Sequence, residues 1–451
     1  MRHLPRVAIG SLDPVADRQP LVWGLLAALH ATGHDFAHLH SAARLSAHDA
    51  ARSLTGSGSR HLDSWAMNRS TCLRTLLRAS ETAEVSIVEG PFEPTRVLPD
   101  GSPETSGSSL NTLCDWLDLP RIAILNLDLL DPCQIPQRPQ RLDGLFLDRA
   151  IDARHAAHWQ TNFEALWNVP VLGWLDRAES LRSLCRTLPS GRDPSPELCA
   201  ALGRRLAANL RLDRLLAIAD RSPLPTLPAD DLSFDLNVDS LRIALAYDEE
   251  FCGYFPDTLD LLEAAGAELC DFSPLRSGSL PDGADVVYFG CGHPERQPEV
   301  LAGNHCLQQS LRQFAAAGGR IYGEGSGLAY LCREIDLGDG RRVPMTGLLP
   351  AVAHRIDPAG LPEPVEITFT AGCWLVEEGD YLRGYRHPGW RIEPLGSMIS
   401  FAQAPHQRLD MLGRANVVGS RLLVNLAANE HLLRRFIAPA APVGAIARGK
   451  F

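Results

Sequence analysis

Residues 322–331 read YGEGSGLAYL and follow the apolar run 320–323, RIYG. A short strand, a glycine-rich turn and the start of a helix form a nucleophile elbow. Such an elbow sets one side chain at a helix N-terminus, where backbone N–H groups can lower a thiol pKa and stabilise an oxyanion. A plain structural βα turn fits the same ten residues. Working outward, apolar runs at 242–247 (RIALAY) and 286–290 (VVYFG) precede the elbow, with helical spacing at 307–317. The first half repeats the alternation. Apolar runs stand at 6–10, 85–89, 121–128 and 169–174, and helical patterns at 21–30 and 202–216. This pattern predicts α/β architecture: two doubly wound domains, each with a parallel sheet covered on both faces. Three prolines and five aspartates without helical period mark 220–239 as the join. The expected domains are 1–225 and 240–451, with a linker at 226–239, and the DGSPETSGSS stretch at 100–109 is expected to be a loop.

The charge balance narrows the chemistry. The 451 residues carry 43 Lys and Arg against 54 Asp and Glu, a net charge of −11. That disfavours nucleic acid or an anionic membrane as the main partner. Lys450 is the only lysine, so a phosphate-loop, Schiff-base or general-base lysine is excluded unless the tail supplies it. The 11 cysteines show no two-residue spacing of a zinc or redox site, which fits reduced thiols. With no signal-like stretch at the start and no apolar run of about 18 residues, the expectation is a soluble, cytoplasmic protein. His30, His34, His38, His40 and His48 invite a metal reading, but their spacings do not all share one face of a single element. They are read as surface or cap histidines, and no metal is expected.

Beyond the elbow, the stretches 242–275, 285–304, 315–331 and 339–350 together resemble the glutamine amidotransferase domain of the cobyrinate a,c-diamide synthases. The resemblance implies a class I glutamine amidotransferase-like domain behind an N-terminal dethiobiotin-synthetase-like P-loop domain. The family elbow reads A-E-C-G-G-L-x-Y-L, and its cysteine attacks glutamine to release ammonia. Over this chain the cysteine falls at Gly325, the preceding glutamate is kept as Glu324, and Ser326 replaces the next glycine. The family's base histidine falls at Leu423 of ANVVGSRLL, and a second polar position falls at Asn425. Neither glycine nor leucine can form a thioester or move a proton. Two weak substitutes remain. Ser326 is expected to turn away from the site, and Cys291, in the G-C-G-H-P-E segment resembling the oxyanion loop, is expected to be a structural thiol or a partner of His293.

The first half resembles the same family with similar losses. Where the family has a phosphate loop ending in G-K-T, residues 11–20 read SLDPVADRQP, with no glycine or lysine and with Asp13 and Asp17. Arg18 is the only cation there. Landmarks persist in TGSGSRHLDSW (55–65), with Asp63 and Trp65, in IVEG (87–90), where Glu89 matches the glutamate of the family's metal–nucleotide region, and in 107–109 and 117–120. The aspartates expected to hold magnesium fall at Arg44, Ala47 and Arg96.

The resemblance therefore implies a pseudoenzyme-like relative that binds a tetrapyrrole in the cleft the family uses, or regulates a partner. An active paralogue or a second copy would be the partner. Arg44, Asp63, Trp65 and Arg96 are the substrate-binding candidates. The alternative is an active amidoligase using ATP, magnesium and glutamine or ammonia through substituted residues, in cobalamin-type biosynthesis. A third reading is a structural subunit.

Overall fold

The computed structural model describes residues 4–12, 17–45, 48–92, 107–130, 138–139, 141–189, 191–223, 240–356, 362–401 and 409–439. Arg96, Ala47, Asp13, Lys450, the 226–239 linker and most of the 100–109 loop lie outside them. The chain divides into two compact units, Met1–Ser233 and Phe234–Phe451.

The first unit holds seven strands: β1 (Arg6–Ser11), β2 (Phe36–His40), β3 (Arg60–His61), β4 (Val85–Pro91), β5 (Arg121–Asn126), β6 (Gly144–Ala150) and β7 (Val171–Asp176). They form one sheet in the order β3-β2-β4-β1-β5-β6-β7, and every pairing is parallel. Strands buried on both faces read as continuous apolar runs, and β1 is buried along its whole length. On one face lies helix Gln19–Ala31, apolar nearly all round because it packs under helix Pro196–Ala207. The pattern at 202–216 predicts one helix. The chain instead breaks between Pro196–Ala207 and Leu212–Ala219. The break crosses β7, where Arg211 N–H donates to the Leu172 carbonyl at 2.7 Å and Gly173 has backbone of Asn209 and Leu210 against its Cα.

In the second unit β8 (Arg242–Ala246), β10 (Glu268–Phe272), β11 (Val286–Phe289) and β13 (Arg320–Glu324) are parallel, in the order β10-β8-β11-β13. Strand Val417–Ser420 joins β13 in parallel, and Met411–Arg414 and Ile399–Ser400 close that edge antiparallel. The short strands β9 (Phe251–Gly253) and β12 (Cys291–Gly292) pair beside the sheet's C-terminal end. Two smaller sheets between residues 332 and 423 contain antiparallel pairs, which the simple alternation does not predict. The central sheet is the doubly wound core, and the additions bring strand Tyr381–Arg386 beside Leu422–Leu423. Among the described residues no helix is long and apolar enough to cross a membrane.

Candidate functional site

The elbow forms as the sequence implies. β13 ends at Glu324, and helix Ser326–Leu331 begins after one residue, Gly325, at φ 57° and ψ −112°. This is a sharp, strained strand-to-helix turn that favours glycine. Packing there is tight. A Cβ on Gly325 would lie 3.1 Å from Cys291 Sγ and 3.2 Å from Leu423 Cδ2. The space of the family's nucleophile is thus lined by a thiol from β12 on one side and by the leucine at the base position on the other.

Cys291 is buried but is not an inert core thiol. Burial would raise its pKa, yet the charge and hydrogen bond of His387 and the Ser326 backbone N–H bring it down to about 6. The thiolate in turn raises His387 against its own burial. Cys332, buried with no such partner, is pushed up, and Cys72 is raised to about 12. His293 is not the partner: its Nδ1 pairs with Glu295 at 3.2 Å. Ser326 does not turn away from the site. Its Oγ lies 3.8 Å from Cys291 Sγ and accepts the Trp390 indole N–H at 3.1 Å, which holds it inward. Gly389 N–H donates to His387 Nδ1 at 3.2 Å. That contact is weak, and protonating Nδ1 removes it.

Behind the elbow, Glu324 accepts from Val424 N–H at 3.1 Å, from Tyr288 at 3.1 Å and from Tyr322 at 3.3 Å. Burial, reinforced by the Cys291 thiolate, raises its carboxyl to about 8 despite these donors. Burial thus favours the protonated form of Glu324, whose contacts brace the turn. Asn425 accepts from Ala427 N–H and closes the following turn.

In the first unit, Arg18 precedes helix Gln19–Ala31 and its Nε donates to Glu89 Oε1 at 2.7 Å. Burial would raise the Glu89 carboxyl, but Arg18, then His38 and His40, hold it well below the usual carboxylate range. The only cation of the 11–20 segment is therefore spent on the carboxylate that the resemblance assigns to a metal–nucleotide. Asp63 is consumed locally: its carboxylate accepts from the Ala43, Trp65 and Ala66 amides at 2.8–2.9 Å. It clamps the loop carrying half-buried Arg44 rather than facing a substrate. Trp65 begins the turn that Asp63 caps and is half-buried.

The histidines separate. His34 pairs with Glu84 and His48 with the Arg192 carbonyl, as ordinary partners at 2.6–2.7 Å. His38 and His40 instead sit on one face of β2, where His40 is in register with Glu89 of β4. Their ligand atoms and a Glu89 oxygen lie within 4.8 Å of one another, the only such group among the described residues. Burial, followed by His38, lowers His40 to about 3. The sequence contained this pair. The pair becomes legible only when 36–40 is a strand, since alternate residues then share a face.

The chain joins two α/β units, each with a parallel sheet, and the second carries a strand–turn–helix elbow. Residues 242–359 match the CobB/CobQ-like glutamine amidotransferase domain. The cobyrinate a,c-diamide synthase of Leptospira interrogans is 30% identical over 400 residues, 84% of this chain and 85% of that protein. That of Dehalococcoides mccartyi strain CBDB1 is 27% identical over 96% of this chain and 98% of its own length. A crystal structure of a glutamine amidotransferase is similar at TM-score 0.34 and 16% identity, covering 43% of this chain and 96% of that one. The chain belongs to the cobyrinate a,c-diamide synthase family.

Proposed function

We propose that this chain is a family member that has given up ATP- and glutamine-dependent amidation and binds a carboxylate-bearing tetrapyrrole, alone or to regulate a partner. One observation carries the reading. Leu423 packs against the Gly325 turn, and the resemblance assigns these two positions to the family's base and nucleophile. The Arg18–Glu89 ion pair supports it from the other unit, since a carboxylate held by a guanidinium is a poor magnesium ligand. Tetrapyrrole binding rests on family membership and on Arg44 and Arg96, whose guanidinium groups suit carboxylates. Titrating the full chain with a polycarboxylate tetrapyrrole tests it. The expected result is saturable binding that weakens at least about tenfold in Arg44→Glu plus Arg96→Glu, given charge reversal at two contacts. Equal binding by the double variant, or none by wild type, counts against it.

A second reading has its own support in the Cys291–His387 pair. The thiolate would attack an amide carbon, the C–N bond would break, and ammonia would leave with the imidazolium proton. Water would then hydrolyse the thioester. His387 must give up the Gly389 contact to carry that proton. Glutamate release from glutamine that Cys291→Ala abolishes would establish this reading, and its absence in wild type would remove it.

A further inference from the structure

We propose that His38, His40 and Glu89 form a binding site for a divalent transition-metal ion such as zinc or cobalt. The directions of the hydrogen bonds argue for it. Asp49 accepts from Ser59 twice, from N–H and from Oγ–H, both at 2.7 Å. With its proton committed to Asp49, the Ser59 oxygen accepts from His38 Nδ1–H, also at 2.7 Å. His38 Nε2 then points at Glu89 Oε2 from 3.1 Å. A neutral imidazole with its proton on Nδ1 presents a lone pair there, directly against a carboxylate oxygen. Something positive must lie between them, either a second ring proton or a metal ion.

The surroundings favour a metal. A metal-bound histidine characteristically donates its other ring N–H to a carboxylate or an equivalent acceptor, and the His38–Ser59–Asp49 chain supplies that arrangement. Asp49 is also anchored, since it caps helix Ala50–Thr55 by accepting from Arg52 N–H. Bonds of about 2.0–2.1 Å in a tetrahedral site place ligand atoms about 3.3 Å apart, close to the His38–Glu89 spacing. His40 needs only to swing inward from within 4.8 Å. His61, whose ring lies 5.4 Å from that of His40, is a further imidazole within reach. Arg18 occupies Glu89 Oε1 and leaves Oε2 for the ion. Two nitrogen donors and one carboxylate select a borderline metal over magnesium, which takes oxygen ligands in octahedral geometry. The site is independent of the tetrapyrrole reading. It also differs in ligand chemistry from a magnesium–nucleotide site.

The test strips the full chain with chelator and titrates it with Co²⁺ or Zn²⁺ against a chromogenic competitor, with millimolar magnesium present throughout. The expected result is one equivalent bound with Kd below about 10 μM. The Co²⁺ spectrum should show nitrogen and oxygen ligation without a thiolate charge-transfer band. His38→Ala plus His40→Ala should weaken binding by about 100-fold or more, and Ser59→Ala, which removes only the orienting chain, by about tenfold. If the double variant does not fold, Glu89→Gln, which keeps shape and loses charge, is read in its place. Wild type that binds no equivalent below that limit, undiminished binding in the variants, or a thiolate band would each overturn the proposal. The His38–Glu89 contact would then be an imidazolium–carboxylate pair.

Discussion

The two units each hold a buried polar cluster, and the two clusters are built from opposite kinds of chemistry. At the elbow, Leu423 and a thiol from a neighbouring strand, Cys291, both crowd the Gly325 turn. At the strand ends of the first unit, the phosphate-loop segment ends in Arg18, which neutralises Glu89 internally. The elbow thus ends with a charged, nucleophilic sulfur next to His387. The nucleotide region ends with a carboxylate withdrawn from solvent and surrounded by imidazoles.

Four substitutions probe this contrast, taken from the largest expected effect to the smallest. Gly325→Val should destabilise the second unit by about 3–4 kcal/mol, because a β-branched residue at φ 57° is strained and its Cβ meets Cys291 and Leu423. Chemical denaturation measures it, and a variant as stable as wild type would show that the turn is not built around glycine. Next, alkylation of Cys291 should rise with pH through about 6 and then level off. His387→Ala should cut the rate at pH 7 by roughly 30-fold or more, the thiolate fraction lost when the pKa returns to about 8.5 or, with burial unopposed, rises above it. Mass spectrometry of the labelled peptide resolves Cys291 from the other thiols, and a midpoint above 8 in wild type would break the ion-pair account.

The third probe is Glu324→Gln. The folded pKa of about 8 lies above the ordinary carboxylate value, so folding favours the protonated acid. This contribution is complete below about pH 4.5 and is lost progressively as pH rises through about 8. Gln mimics the neutral form and should flatten that decline, leaving the variant more stable than wild type at pH 9. Parallel stability profiles for the two proteins would refute a raised Glu324. The smallest effect is expected from Arg18→Gln. Removing the guanidinium exposes Glu89 to desolvation without its partner and should cost about 1 kcal/mol, discounted because Arg18 is a quarter exposed. A thermal melt reads it, and a stabilised variant would contradict the pairing.

How legible each part was follows from the range of the interactions behind it. Strand–helix alternation exposed both sheets, because a strand buried on both faces is mostly apolar, as β11 is throughout and β1 is over Val7–Ile9. The turn at Gly325 was legible for the same local reason. His387 was not, because it reaches Cys291 only through strand pairings between residues nearly 100 apart, and its near-sequence rival His293 is taken by Glu295. Asp63 looked like a substrate ligand, but the folded loop turns its oxygens onto three backbone amides. The β2 pair could have been read from its H-x-H spacing, since alternate residues of a strand share a face, once 36–40 was taken as a strand.

The proposal that amidation has been lost is tested most directly by ADP formation. The full chain is incubated with ATP, magnesium, a tetrapyrrole polycarboxylate and ammonia, so that no glutaminase step is needed. The account predicts no ADP above the protein-free blank. Multiple turnovers of ADP per chain, dependent on the tetrapyrrole, would contradict it.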